Sequence, residues 1–301
     1  MNNIFMQNAI YLTIHILFAL GMFISLKFIN TKGLNKYKAI AINYAVAAIA
    51  TITDLAVSGS DWDYSLSLLL PSVVVGTLFM TSFVVMSFST EKVGIGLTTA
   101  LNKMSVVIPV MVGVLFLNQH SGILEKIIGI ILALISFFLV LYKRSQKGGK
   151  GVFLLPVLVF VLSGMIDTSM ELTNTFFIKS PGQSELFLLG VFIIAALMSA
   201  LMQVKDKRDR VEKKIYVNEA KFGVTFFYGS LLGIFNFLTS KMILVNVGLM
   251  GGTVVFPIHN ASVVLLTAII GVLFFKESFT KKQWLGVVLA VAAVSIIAQT
   301  I

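Results

Sequence analysis

The sequence predicts an all-α integral membrane protein, with ten transmembrane helices arranged as two inverted five-helix repeats. Three observations lead there. The chain is too poor in charge to cover a water-facing surface. It holds ten apolar runs of about twenty residues, the length that crosses a bilayer. Its basic residues gather in every second connection.

Of the 301 residues, 57% are hydrophobic and 12% charged, where a soluble domain carries roughly a quarter charged residues. Most of the chain is therefore solvated by lipid. Every backbone amide and carbonyl must then find an internal partner, which leaves helices or closed barrels. Runs of about twenty residues, without strict alternation, choose helices. There is no cysteine, so disulfides, thiol catalysis and Cys-based metal sites are excluded.

The runs fall near 8–29, 39–56, 66–89, 95–117, 126–142, 152–173, 186–204, 222–247, 253–275 and 283–299. The first continues to Ile29, too long for a signal-peptide core, and Met1 to Asn8 holds no basic side chain. It reads as a retained first span. The connections are short except Lys205 to Lys221, and none leaves room for a soluble domain.

The basic residues number these runs independently. Connections after odd spans, with their flanks, hold Lys27, Lys32, Lys36 and Lys38, then Lys92, then Lys143, Arg144, Lys147 and Lys150. They continue with Lys205, Lys207, Arg208, Arg210, Lys213, Lys214 and Lys221, and close with Lys276, Lys281 and Lys282. Even connections hold only Lys126 and Lys179, while Lys103 and Lys241 lie inside spans. Adding or dropping one span would scramble this alternation. By the positive-inside rule the odd connections are cytoplasmic and both termini face out. The net charge of +10 is thus a topology signal and not a nucleic-acid footprint. The stretch Lys205 to Lys214 also suits anionic lipid headgroups.

Ten spans divide into two units, 1–146 and 147–301. A shift of 158 sets Gly94 to Phe116 on Gly252 to Phe274, matching Gly94 with Gly252, Asn102 with Asn260 and Val106 with Val264. Gly113-Val-Leu-Phe116 meets Gly271-Val-Leu-Phe274. Gly21-Met22 in span 1 corresponds to Gly164-Met165 in span 6. Five is odd, so the second unit enters the membrane from the opposite side. Such inverted repeats suit alternating access around a central site.

The stretch Gly271-Val-Leu-Phe-Phe-Lys-Glu277-Ser-Phe-Thr280, followed by Gln283-Trp-Leu-Gly286, resembles the drug/metabolite transporter superfamily of the EamA type. The shared pattern is a small-residue-rich span with an acidic residue at its end, a Thr shortly after, and a Gly-containing last span. Gly113-Val-Leu-Phe-Leu-Asn-Gln119 with Gly129 is the first unit's counterpart, carrying Gln119 where the family often has Glu. The resemblance implies a basket of ten helices around a central cavity, and export of small metabolites, amino acids or drugs. It also implies cytoplasmic termini, against the charge bias.

Ionisable residues inside spans suggest function because burying them in lipid is costly. They are His15, Asp54, Lys103, Asp167, Glu171, Lys241 and His259. Ser163, Asp167 and Glu171 are spaced i, i+4, i+8 and share a helix face. Lys241 reaches a similar depth, so it either pairs with Asp167 or Glu171 or snorkels to the outer surface. Asp54 closes its span and reads as interfacial. Lys103 lies nearer the basic end, beside Asn102. His259 and Asn260 hold the corresponding positions in span 9. Both of these spans follow glycine-rich turns, Val93 to Gly96 and Gly248 to Gly252, and helix N-termini can face a bound carboxylate. His15 and His259 can carry protons or serve only as hydrogen-bonded structural groups. Pro109 and Pro257 are hinges or plain kinks.

The candidates for substrate binding or ion coupling are therefore Lys103, Asn102, Asp167, Glu171, Lys241, His259, Asn260 and His15. No cofactor or metal is expected. No nucleophile–base set or phosphate loop points to an enzyme. A channel or membrane sensor is the alternative class. The expected partners are the bilayer of a plasma or bacterial inner membrane, a small-molecule substrate, and a proton or other ion gradient.

Overall fold

The computed structural model describes residues 2–59, 62, 64–116, 122–141, 150–179, 181–212, 222–250 and 252–298. Among these there are eleven α-helices, a single 3-10 turn at Leu66–Leu68, and no strand. The helices are α1 (Asn2–Thr31), α2 (Lys36–Ser58), α3 (Leu69–Lys92), α4 (Ile95–Met104), α5 (Val107–Phe116), α6 (Ile123–Leu141), α7 (Lys150–Phe176), α8 (Pro181–Glu212), α9 (Phe222–Met250), α10 (Gly252–Leu273) and α11 (Lys281–Ala298). Over the described residues every apolar run is largely helical, since a helix satisfies its own backbone hydrogen bonds within one segment.

Among the described residues, five stretches are long and apolar enough to cross a membrane by length and composition: Gln7–Thr31, Lys36–Ser58, Leu66–Lys92, Gly182–Arg208 and Phe222–Ile243. The run 95–117 departs from a single helix. It is split at Ser105 and Val106 into α4 and α5, ten residues each. Pro109 explains the break. A continuous helix would need an amide hydrogen at 109 to reach the Ser105 carbonyl, and proline has none. The Ser105 carbonyl accepts instead from the Ile108 amide at 2.9 Å, a tighter turn. Pro257, by contrast, lies within the unbroken α10.

A second departure is at α8. Its helix runs on to Glu212, so Lys205 to Glu212 is helical rather than a loop. Lys, Arg and Glu are good helix formers and favour this once a helix has started.

The packing inverts the soluble pattern. α6 turns Ile127, Ile131, Leu134 and Phe138 outward. Its inward Ser136 donates to the Gly286 carbonyl on α11 at 2.6 Å, fixing the α6–α11 pair. α1 packs on α9, α2 on α8 and α9, and α3 on α7 and α8. α10 lies against α11 and α4, and α4 reaches α7. The main apolar cluster includes Phe23, Leu26, Tyr44, Phe83 and Phe192. A second cluster, of Leu97, Leu101, Met104, Ala133 and Ala290, secures α4 from behind.

Candidate functional site

α4 carries Asn102 and Lys103 in its last turn, just before the break. α7 faces it. Gly164 makes this approach possible, because a Cβ there would strike the Ile108 side chain on α5. Asn102 Nδ2 donates to Ser163 Oγ at 2.5 Å, and Ser105 Oγ, whose proton goes to the Asn102 carbonyl, lies 3.5 Å from Asp167 Oδ2. The i, i+4 spacing read from the sequence thus lays Ser163 and Asp167 along the joint between α4 and α5. Asp167 retains an exposed carboxylate surface. The Glu171 side chain lies outside the described residues.

α1 and α10 complete the group. His15 and His259 are buried, and their rings stack with centroids 3.9 Å apart and planes at 17°. Both nitrogens of His15, and Nδ1 of His259, have no hydrogen-bond partner among the described residues. Lys103 lies within electrostatic reach of Asp167, His15 and His259. Asn260 is buried next to His259. Lys103 stands nearer the basic end of its span, yet a lysine's long stem carries its charge well beyond its backbone level. The arrangement offers an ammonium, a carboxylate and two imidazoles in one place, with unfilled hydrogen-bonding capacity. Among the described residues, no group of three or more metal-ligating side chains is present.

Lys241 is not part of this group. It pairs with Asp54 on α2, and Glu185 on α8 is close enough to interact with both. The sequence leaves two readings of Lys241, pairing with Asp167 or Glu171, or snorkelling; among the described residues its partner is neither carboxylate but Asp54, and the Glu171 side chain lies outside them. Asp54 and Lys241 stay partly exposed at 21% and 37%.

A further pair escaped the sequence reading. Lys27 Nζ meets Glu277 Oε1 at 2.7 Å, with both side chains nearly buried. Lys27 had been counted only as a loop charge, and Glu277 only as part of a motif. Their separation of 250 positions is beyond any periodicity argument. The one available signal was that both stand at the ends of odd-numbered spans.

A model of the EamA-like transporter family matches residues 154–299. An uncharacterized protein of Haemophilus influenzae is 30% identical over 237 residues, covering 76% of this chain and 72% of that protein. The chain belongs to the EamA-like transporter family. It is accordingly an integral membrane protein of a transporter family. A crystal structure of another protein covers 96% of both chains with a TM-score of 0.59 at 12% identity, a likeness of fold alone. The EamA match falls on the second unit of the sequence division, α7 to α11, which carries Asp167, His259 and Glu277.

Proposed function

We propose that the protein is a secondary carrier that moves a small polar metabolite, amino-acid-like or drug-like, out of the cell by alternating access. In this reading the chain crosses the membrane ten times, α4 and α5 together forming one broken span. Residues 1–146 and 147–301 are the two inverted units. The observation that carries the reading is the origin of the charged group: His15, Lys103, Asp167 and His259 come from spans 1, 4, 6 and 9. These are the two repeat-related pairs, 1 with 6 and 4 with 9, so each unit supplies half of the site. Broken helices near the bilayer midplane are where carriers of this build place substrates.

Lys103 faces the anionic end of the substrate, and Asp167 its cationic end or a coupling proton. The histidine nitrogens and Asn260 supply the remaining hydrogen bonds. Glu171 belongs to the same face of α7. Lys241 is left out, since Asp54 already occupies it.

The test compares metabolite release from cells overexpressing the protein with release from cells carrying Lys103→Ala at equal expression. The carrier reading expects a metabolite whose release rises with the parent protein and falls to background in the variant. Flux in reconstituted vesicles should saturate. A flux that does not saturate and exceeds alternating-access rates would instead support a channel.

A further inference from the structure

The ends of α1, α3 and α10 and the starts of α4 and α11 meet at the basic-loop face, and a single carboxylate joins most of them. Glu277 follows α10 directly, its amide donating to the Gly271 carbonyl at 2.9 Å. Its Oε1 accepts from the Ile95 amide at 2.7 Å and its Oε2 from the Gly96 amide at 3.3 Å. These are orphan donors of the first turn of α4, at the positive end of its dipole. Oε1 also accepts from Lys27 Nζ at 2.7 Å, and that ammonium donates onward to the Thr90 carbonyl at 3.4 Å. The socket is cut from glycine. Gly94 sits at φ +102, and a Cβ on either Gly94 or Gly271 would lie 2.7 Å from a carboxylate atom of Glu277. The nearby Lys36–Glu91 pair is more exposed, at 46% for the glutamate, and exposed pairs of that kind hold little.

An alternating-access carrier has to open this face once per cycle, and these elements must then part. We propose that Lys27 and Glu277 form the latch that keeps the basic-loop face shut, and that Glu277 is a positioning residue for Asn102 and Lys103 because it fixes the start of their helix. This rests on the carrier reading. The latch is more than an ion pair. Its anion must be at position 277, where the α4 amides point. Removing either partner leaves a buried charge without its counterpart, so the closed form loses its advantage.

The chain's lack of cysteine gives a direct test. Ser163→Cys places one thiol at the central site, and a small membrane-impermeant thiol reagent is applied to sealed, oriented vesicles from each side in turn. Adding Glu277→Gln or Lys27→Met is expected to raise labelling from the basic-loop side by more than about tenfold. The charge swap Lys27→Glu with Glu277→Lys is expected to leave labelling fast, since a lysine at 277 would face amide donors. Unchanged labelling in Lys27→Met overturns the latch, and this variant keeps the α4 cap if Glu277→Gln does not fold. Full restoration by the swap overturns the positioning role. The readout needs no substrate. A labelling shift without any flux would leave the latch standing and remove the carrier reading, whereas normal labelling with Lys103-dependent flux would do the reverse.

Discussion

His15 and His259 show how a buried side chain's purpose can be read from what it lacks. A neutral imidazole has one donor and one acceptor nitrogen, and both of those on His15 are without a partner among the described residues. A buried polar group left this way costs about 1–3 kcal/mol. Replacing both rings with phenylalanine keeps the stacked shape and removes the unmet polar groups. The double variant His15→Phe/His259→Phe is therefore expected to match or exceed the parent's thermal stability in detergent. If the nitrogens serve substrate, it also loses transport affinity by at least about tenfold, the value of one hydrogen bond to a charged group. A drop in stability with intact transport would assign the rings to structure. These residues were legible because ionisable side chains inside apolar runs are few. The partner of Lys241 was not legible. Depth fixes only one coordinate, and Asp54 on α2 and Asp167 on α7 stand at comparable depths on different helices. Which of them faces α9 depends on how the helices are arranged, and one sequence's hydropathy does not encode that arrangement.

At the scale of the element, Pro109 decides the most. It divides a run that hydropathy presents as continuous, and it hands the Ser105 carbonyl to the Ile108 amide in a tighter turn. Pro109→Ala would restore the missing donor and let α4 and α5 fuse, relieving part of the roughly 3 kcal/mol that an interior proline costs. The variant is expected to melt higher and to transport several-fold more slowly, because it trades a joint for a rod. Equal transport rates would show the break to be a plain kink. Sequence reading held both meanings open for Pro109 and Pro257. The difference between them lies in context: α10 continues through Pro257, while Ser105 Oγ bonds the Asn102 carbonyl at 2.5 Å and caps α4 at the break. Side-chain caps of this kind appear only when the three-dimensional turn is known.

Across the whole molecule, charge and apolar surface are separated by level. Outward faces carry Phe138, Leu201 and Val288, more than half exposed, as a lipid solvent allows. The α1–α2, α3–α4 and α10–α11 connections meet at one face, the one holding Lys27, Lys36 and Glu277. By the charge bias that face is expected to be the cytoplasmic one. A reporter enzyme active only outside the cytoplasm, fused after Ile301, is thus expected to be active, and a fluorescent reporter that matures only inside to stay dark. The opposite pattern would follow the family expectation and reverse the sign of the topology. The positions of the helices were legible, since apolar run and helix agree within a few residues nearly everywhere. The extension of α8 through Lys205 to Glu212 was missed, because charge was read as loop although those side chains support a helix equally well.

The joint at Ser105 makes α4 a lever. Ten residues at 1.5 Å give an arm of about 15 Å. Lys103 sits about 3 Å from the pivot, and Ile95, seated on Glu277, lies at the far end. A turn of about 10° would move the backbone at Lys103 by about 0.5 Å and at Ile95 by about 2.6 Å, as the arm's geometry requires. The backbone at Lys103 stays nearly still, while the end seated on Glu277 travels about five times as far. A sub-ångström adjustment at Lys103 is in this way geared up to a displacement large enough to unseat the two amide hydrogen bonds to Glu277.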